Sequence, residues 1–265
     1  MVKAGLCSVS FRKLSVAEIV DLGRRAGLDG IEWGGDVHVR HGDVGTARET
    51  WTRCRDAGLD CPSYGSYYRV GSSESKGPRF AEVLAAAIAL ESRTIRVWAG
   101  TTNLEGAADD DVARVVEDTF RIARMAEVEG MTISFEYHGG TYTNTDANAQ
   151  AFARRVAHPA VRFYWQPPHG QDAGACFSGL QALRDRVTNV HVFHWRLQKD
   201  NDGKAKIENL FLEEGTDRWQ RFLDLLEVLP GEHWAHLEFT RHEDPANTVR
   251  DAAALRGMLK KGAPP

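Results

Sequence analysis

The sequence predicts a single α/β domain folded as a (β/α)8 TIM barrel, and three observations predict it. Short apolar runs rich in Val, Ile, Phe and Trp recur along the 265 residues, each followed by a stretch with helical spacing. Glycine closes the helices just before the next run, most plainly in the paired segments Arg25-Ala26-Gly27-Leu28-Asp29 and Asp56-Ala57-Gly58-Leu59-Asp60. No linker, low-complexity run or break in composition divides residues 1–265, and barrels commonly run as one domain at this length.

Eight strands are expected, in order, at 3–9, 30–34, 59–64, 94–99, 131–137, 161–166, 188–195 and 233–239. Eight parallel units close naturally into a barrel. The first helix should follow Ser15 as N-cap, and the stretch from Asp109 to Gly130 should form a long helix whose acidic first turn suits the helix dipole. The segment after the third strand, YGSYYRVGSSESKG, reads as a long loop able to close over a ligand. The terminal GAPP reads as a frayed tail.

With 42% hydrophobic and 26% charged residues the chain can bury a sizeable core. A net charge of −4 and a pI near 6.2 provide no basic footprint for nucleic acid. Cys7, Cys54, Cys61 and Cys176 are scattered, without Cys-x-x-Cys or structural-zinc spacing, and read as reduced, buried thiols. No signal-peptide-like or membrane-length apolar run occurs, so a soluble, cytoplasmic protein is expected. Self-association into a homo-oligomer is left open.

Function in such a barrel belongs to the C-terminal ends of the strands and the loops after them. Polar residues collect there on the late strands. Strand five ends in Glu136-Tyr137-His138, strand six in Trp165-Gln166 with His169 beyond, strand seven carries His191 and His194, and strand eight carries Glu238. Carboxylates, an imidazole and an amide oxygen make a mixed shell suited to one divalent metal ion, Mn²⁺ first and Co²⁺, Mg²⁺ or Zn²⁺ as alternatives. Any one of these residues alone also reads as a satisfied ion-pair partner. Two glutamates buried side by side without a cation, however, would repel.

Aromatic residues near the expected mouth, Trp33, Tyr64, Tyr67, Trp98, Tyr137, Trp165 and Trp195, suit either sugar stacking or core packing, with Tyr67 the better contact candidate. His38, after GIEWGGDV, is a further candidate contact, although Glu32 and His38 also read as a solvated pair. GGTYTN at 139–144 is a weak anion-binding candidate and no phosphate loop is present, so a non-phosphorylated substrate is expected.

Through GLDGIEWG at 27–34, TIRVWAG at 94–100, ISFEYHGG at 133–140, NVHVFHW at 189–195 and HLEF at 236–239, the chain resembles the xylose isomerase-like TIM barrels. That group includes sugar isomerases, ketose 3-epimerases, inosose dehydratases and endonuclease IV. The resemblance implies metal ligands on strands five to eight, which here fall on Glu136, Gln166, His191 and Glu238, with Gln166 standing where relatives carry Asp. It implies a substrate contact from His169, three residues beyond that position. The Arg that relatives often place six residues after the strand-seven His is here Leu197, with Arg196 adjacent. His138 and His194 complete the expected contacts.

The resemblance implies proton abstraction next to a carbonyl of a small keto-sugar, with Glu136 and Glu238 as acid–base groups and the metal stabilising an enediolate. Return of the proton gives isomerisation or epimerisation. A leaving group β to the carbanion gives elimination instead, with His169 or His194 protonating the departing oxygen. An endonuclease IV-like phosphodiesterase, which needs three metals, and a non-catalytic accessory subunit are the remaining alternatives.

Overall fold

The computed structural model describes residues 1–199 and 204–262. Ten strands occur among them: β1 Val2–Cys7, β2 Gly30–Gly34, β3 Asp60–Val70, β4 Thr94–Ala99, β5 Thr132–Glu136, β6 Val161–Trp165, β7 Val187–Val192, β8 His194–Lys199, β9 Ala205–Leu210 and β10 His233–Leu237. The helices are α1 Val16–Ala26, α2 Val44–Asp56, α3 Ser73–Lys76, α4 Phe80–Ala89, α5 Asp109–Val128, α6 Asp146–Arg155, α7 Ala173–Ala182, α8 Thr216–Glu227 and α9 Pro245–Gly262.

Eight strands close a parallel barrel in the order β1-β10-β7-β6-β5-β4-β3-β2, as expected, while β8 and β9 form a separate antiparallel hairpin. The physical signals read from the sequence act where they were expected. Ser15 caps α1 in a reciprocal box with Glu18. Gly27 and Gly58 turn the chain in the left-handed region, at φ of 64° and 74°, where a Cβ would be strained. The Asp29 carboxylate then accepts the Ala4 N–H at 2.9 Å, fixing the entry to β2. Cys7, Cys54, Cys61 and Cys176 are all free and buried. The last residues of the GAPP tail, 263–265, lie outside the described residues, and α9 already takes in Gly262.

Two expectations are corrected. Residues 65–70 are not a loop: β3 continues to Val70, interrupted by a register shift between Gly65 and Tyr68 that adds two residues opposite β4. The expected strand 188–195 breaks at Phe193, where the chain leaves the barrel wall and starts the hairpin. The Phe193 carbonyl then accepts the Trp219 indole N–H at 2.9 Å instead of a ladder partner.

Helices cover the outer face of the barrel with an apolar layer, whereas its inside is polar. Glu32, Ser63, Ser134, Tyr164, His191 and His236 are buried inside it, and Arg96 is 1% exposed. Gly5 makes room for this interior, since a Cβ there would come within 2.4 Å of His236 Cδ2.

Candidate metal and proton-transfer centre

Period-two alternation decides which side chains enter the barrel. In β2 it sends Trp33 outward, where Gly34 and Tyr64 neighbour it in the sheet, and Glu32 inward. In β4 it points Arg96 inward two residues before Trp98. The Arg96 guanidinium donates Nε to Glu32 Oε1 at 2.9 Å and Nη1 to Glu136 Oε2. Glu136 Oε2 also accepts the Trp98 indole N–H at 2.5 Å. Ser63 donates its hydroxyl to Glu32 Oε2 at 2.8 Å. The solvated Glu32–His38 pair is therefore corrected: both side chains are buried and apart, with His38 Nδ1 3.0 Å from Ser8 Oγ.

The four residues expected to bind metal converge. His191 Nδ1 lies 3.2 Å from Gln166 Oε1, 3.3 Å from Glu238 Oε2 and 3.5 Å from Glu136 Oε1. Neighbouring donors around a cation with bonds of about 2.1 Å are separated by about 3.0–3.5 Å. Gln166 turns its oxygen to this point because its amide nitrogen donates to the Tyr137 carbonyl. Glu238 Oε2 is buried with no hydrogen-bond partner. On the far side of the ring, His191 Nε2 is 3.3 Å from Glu32 Oε1, an arrangement that protonates Nε2 and presents the Nδ1 lone pair to the centre. Cys7 lies alongside, its Sγ 3.2 Å from Glu32 Oε1, and with His191 and Glu238 it forms a tight buried group of possible ligands.

Charge supports the same conclusion. Three carboxyls, Glu32, Glu136 and Glu238, are buried together, and the Arg96 guanidinium pairs directly with only the first two. Burial opposes ionisation of Glu136, but Arg96 and His191 together outweigh it, lowering that carboxyl to about 2. Glu238 lacks the direct Arg96 contact: burial, reinforced by the charge on Glu136, prevails over the attraction of His191 and pushes it to about 7. His191 is drawn upward by Glu238 and Glu32 against the cost of its own burial. Protons are thus favoured where a divalent cation would otherwise balance the charge. The donor set fits such an ion in distance, chemistry and charge.

A cavity of 530 Å³ opens over this centre. Tyr67, Trp98, His138 and His169 line it together with Glu136, Gln166 and Glu238. Tyr67 belongs to the bulged stretch of β3, at φ 55°, with the Arg96 guanidinium 4.9 Å from its ring centre. His138 stacks on Trp98 at 4.4 Å, and its Nδ1 is 2.7 Å from the Gly139 carbonyl, so Nδ1–H donates there and Nε2 is left free. His169 is held toward the neutral form, chiefly by burial.

Other expected contacts fall elsewhere. His38 does not line the cavity. His194 packs over Gly215, where a Cβ would approach its Nδ1 to 2.5 Å. Arg196 lies on the exposed hairpin, 2.5 Å from Glu208, because the break at Phe193 carries the chain away from the mouth. Trp33, Tyr64 and Trp165 are buried in the core, Trp165 against Trp219 and Phe222, and Trp195 packs beside His169. Thr143 of the GGTYTN loop donates its hydroxyl to the Glu136 carbonyl at 2.5 Å, bracing the end of β5. Sequence reasoning missed Arg96, Glu32 and Cys7. A charged residue inside each of the apolar runs TIRVWA and GIEWG was the available signal.

The fold and its polar centre define a parallel α/β barrel with a donor cluster at the C-terminal mouth. The chain belongs to the xylose isomerase-like TIM barrel family, whose sequence profile it matches over residues 20–261. Among solved structures it is similar to a probable 3-DHS dehydratase, AsbF, involved in petrobactin synthesis in Bacillus anthracis, with 20% identity over 96% of this chain and 98% of that one and a TM-score of 0.79. It is similar also to a D-psicose 3-epimerase solved in the presence of D-fructose (16% identity, 97% and 99% covered, TM-score 0.69). A xylose isomerase-like TIM barrel protein from Mycobacterium smegmatis in complex with magnesium is a third (14%, 99% and 97%, 0.69). At these identities the likeness is one of fold. No curated protein matches the chain in sequence.

Proposed function

We propose that the protein is a metal-dependent enzyme that removes a proton next to the carbonyl of a small keto-sugar and completes the reaction by β-elimination. The observation that carries this choice is the inequality of the two glutamates. Both carboxylates face His191 Nδ1, but Glu136 Oε2 is also held by Arg96 and Trp98, whereas Glu238 Oε2 is buried, meets only the His191 ring, at 3.3 Å, and accepts no hydrogen bond. An epimerase that exchanges protons across two faces needs two free acid–base groups. Here only Glu238 is without a guanidinium and indole clamp, and it sits beside an imidazole-lined mouth.

Glu136, Gln166, His191 and Glu238 would hold the ion, which when bound supplies Lewis-acid stabilisation of the developing oxyanion. Glu238 takes the proton from the carbon α to the carbonyl, and the C–H electrons pass into the enolate. Collapse of the enolate forms the C=C bond and breaks the C–O bond at the β position. His138, protonated at Nε2 and steadied by its Nδ1–H bond to Gly139, gives its proton to the departing oxygen. The products are an enone and water or an alcohol. His169, kept neutral, orients a hydroxyl. Trp98 fixes Glu136 through its N–H, and its ring, packed between His138 and the Arg69 guanidinium, holds His138 at the mouth.

The test is incubation with 3-keto-glucosides and with free ketohexoses in deuterated water. Growth of enone absorbance with release of the alcohol is expected for the former. Deuterium uptake with otherwise unchanged mass would replace elimination by epimerisation or isomerisation. Glu238→Gln is expected to lower proton abstraction about 10²- to 10⁴-fold at saturating metal. Glu136→Gln is expected to act through metal affinity, so excess cation restores part of its activity and none of that of Glu238→Gln.

A further inference from the structure

Two aromatic walls face the cavity, and the chemistry above uses only one. Trp98 belongs to the first, with Tyr67 at 5.2 Å on its edge and His138 on its face. The second is formed by His169 and Phe239, both backed by the buried Phe193, which stacks 5.5 Å from His169 and meets Phe239 edge-on at 5.7 Å. Val9, Pro167 and Pro168 extend it along the cavity.

Phe239 is the unusual member. It directly follows Glu238, its φ is 49°, and 40% of its surface is exposed at the cavity. A bulky residue in the left-handed region is a true outlier, and such strain persists where the surroundings enforce it and clusters at ligand clamps. Here its backbone N–H is anchored 3.3 Å from Ser10 Oγ. The fold therefore holds a large aromatic ring at the mouth with 40% of its surface left in contact with solvent. A cavity of 530 Å³ also falls in the range that encloses drug-sized ligands, larger than one sugar ring.

We infer that the Phe239 wall is a subsite for an apolar, aromatic aglycone, so that the substrate is an aryl keto-glycoside rather than a free sugar. This rests on the proposed keto-sugar chemistry for its sugar half alone. The sugar ring lies above the donor cluster beside Tyr67 and His138, and the aglycone stacks on Phe239 with Val9, Pro167 and Pro168 covering its edge. Aromatic groups prefer such edge-to-face and offset partners, and burying one adds affinity without demanding further polar contacts.

Calorimetric titration of the purified protein with phenyl glucoside and with methyl glucoside tests the subsite without turnover, because neither carries the activating ketone. Phenyl glucoside is expected to bind about tenfold more tightly. Phe239→Asn, which tolerates the left-handed backbone and removes the ring, is expected to bring the ratio to within about twofold of unity, and Phe239→Ala to do the same. Equal binding of the two glucosides, binding of neither, or a preference that survives both substitutions overturns the proposal. A phenyl preference lost with Phe239 but accompanied by no reaction of keto-glucosides leaves the subsite standing and removes the elimination reading instead.

Discussion

A guanidinium shut off from water is tolerable only among carboxylates, and Arg96 has Glu32 and Glu136 on either side. Arg96→Met should strand both carboxylates and lower stability by about 3–5 kcal/mol, measurable by urea unfolding; a variant as stable as the parent would refute the clamp. Gly65 is tied to the same arrangement, since a Cβ there would lie 2.5 Å from Arg96 Nη2 and 3.1 Å from Glu32 Oε1. Gly65→Ala is expected to cost about 1–3 kcal/mol through displacement of the guanidinium, read as a lower melting temperature, with reduced metal affinity as Glu32 loosens from His191. At this scale the sequence was informative about ligands and silent about what holds them. Glu136, Gln166, His191 and Glu238 stand at strand ends, where barrel geometry makes a polar residue conspicuous. Glu32 and Arg96 lie within strands, where only knowing which neighbour faces them across the barrel gives them meaning.

Elements were legible where local chemistry fixes them, as with the Ser15 cap, the glycine turns and the apolar runs. They were missed where a strand does something nonlocal. The pattern NVHVFHW alternates well enough to read as one strand, yet after Val192 the barrel ladder ends and the next residues pair with 205–210. The extension of β3 likewise depends on its pairing with β4. Helix α9 carries a prediction of its own. Asp251 is buried and accepts the Leu212 N–H at 2.9 Å, and burial raises its carboxyl to about 6. The folded state then binds a proton that the unfolded chain releases earlier, so this group's contribution falls as pH rises from about 4 to about 6 and is level above. Asp251→Asn keeps an acceptor and cannot ionise. Its stability relative to the parent should grow by about 1–3 kcal/mol across that window. Urea midpoints at pH 4 and pH 7 check this, and a difference independent of pH would contradict it.

For the whole molecule the expectation is about one divalent ion per chain in the purified protein, determined by elemental analysis. Because the donors come from β5, β7 and the segments following β6 and β10, one ion ties together much of the barrel's circumference. Chelation should lower the melting temperature and added cation restore it, the gain reaching about 2.7 kcal/mol at a hundredfold excess over Kd; a melting temperature indifferent to both would remove the metal from the account. The sequence by itself determined the alternation of strand and helix, the closed parallel architecture and the strand-end ligand candidates, because periodicity, caps and glycine turns are local and each βα unit repeats them. Only the tertiary structure decided that Arg96 pairs with Glu136 and not with Glu238, that His194 and Arg196 leave the mouth, and that Phe239 is held exposed within it. These are relations between segments up to the full length of the barrel apart, set by register and burial, and no window of sequence contains them.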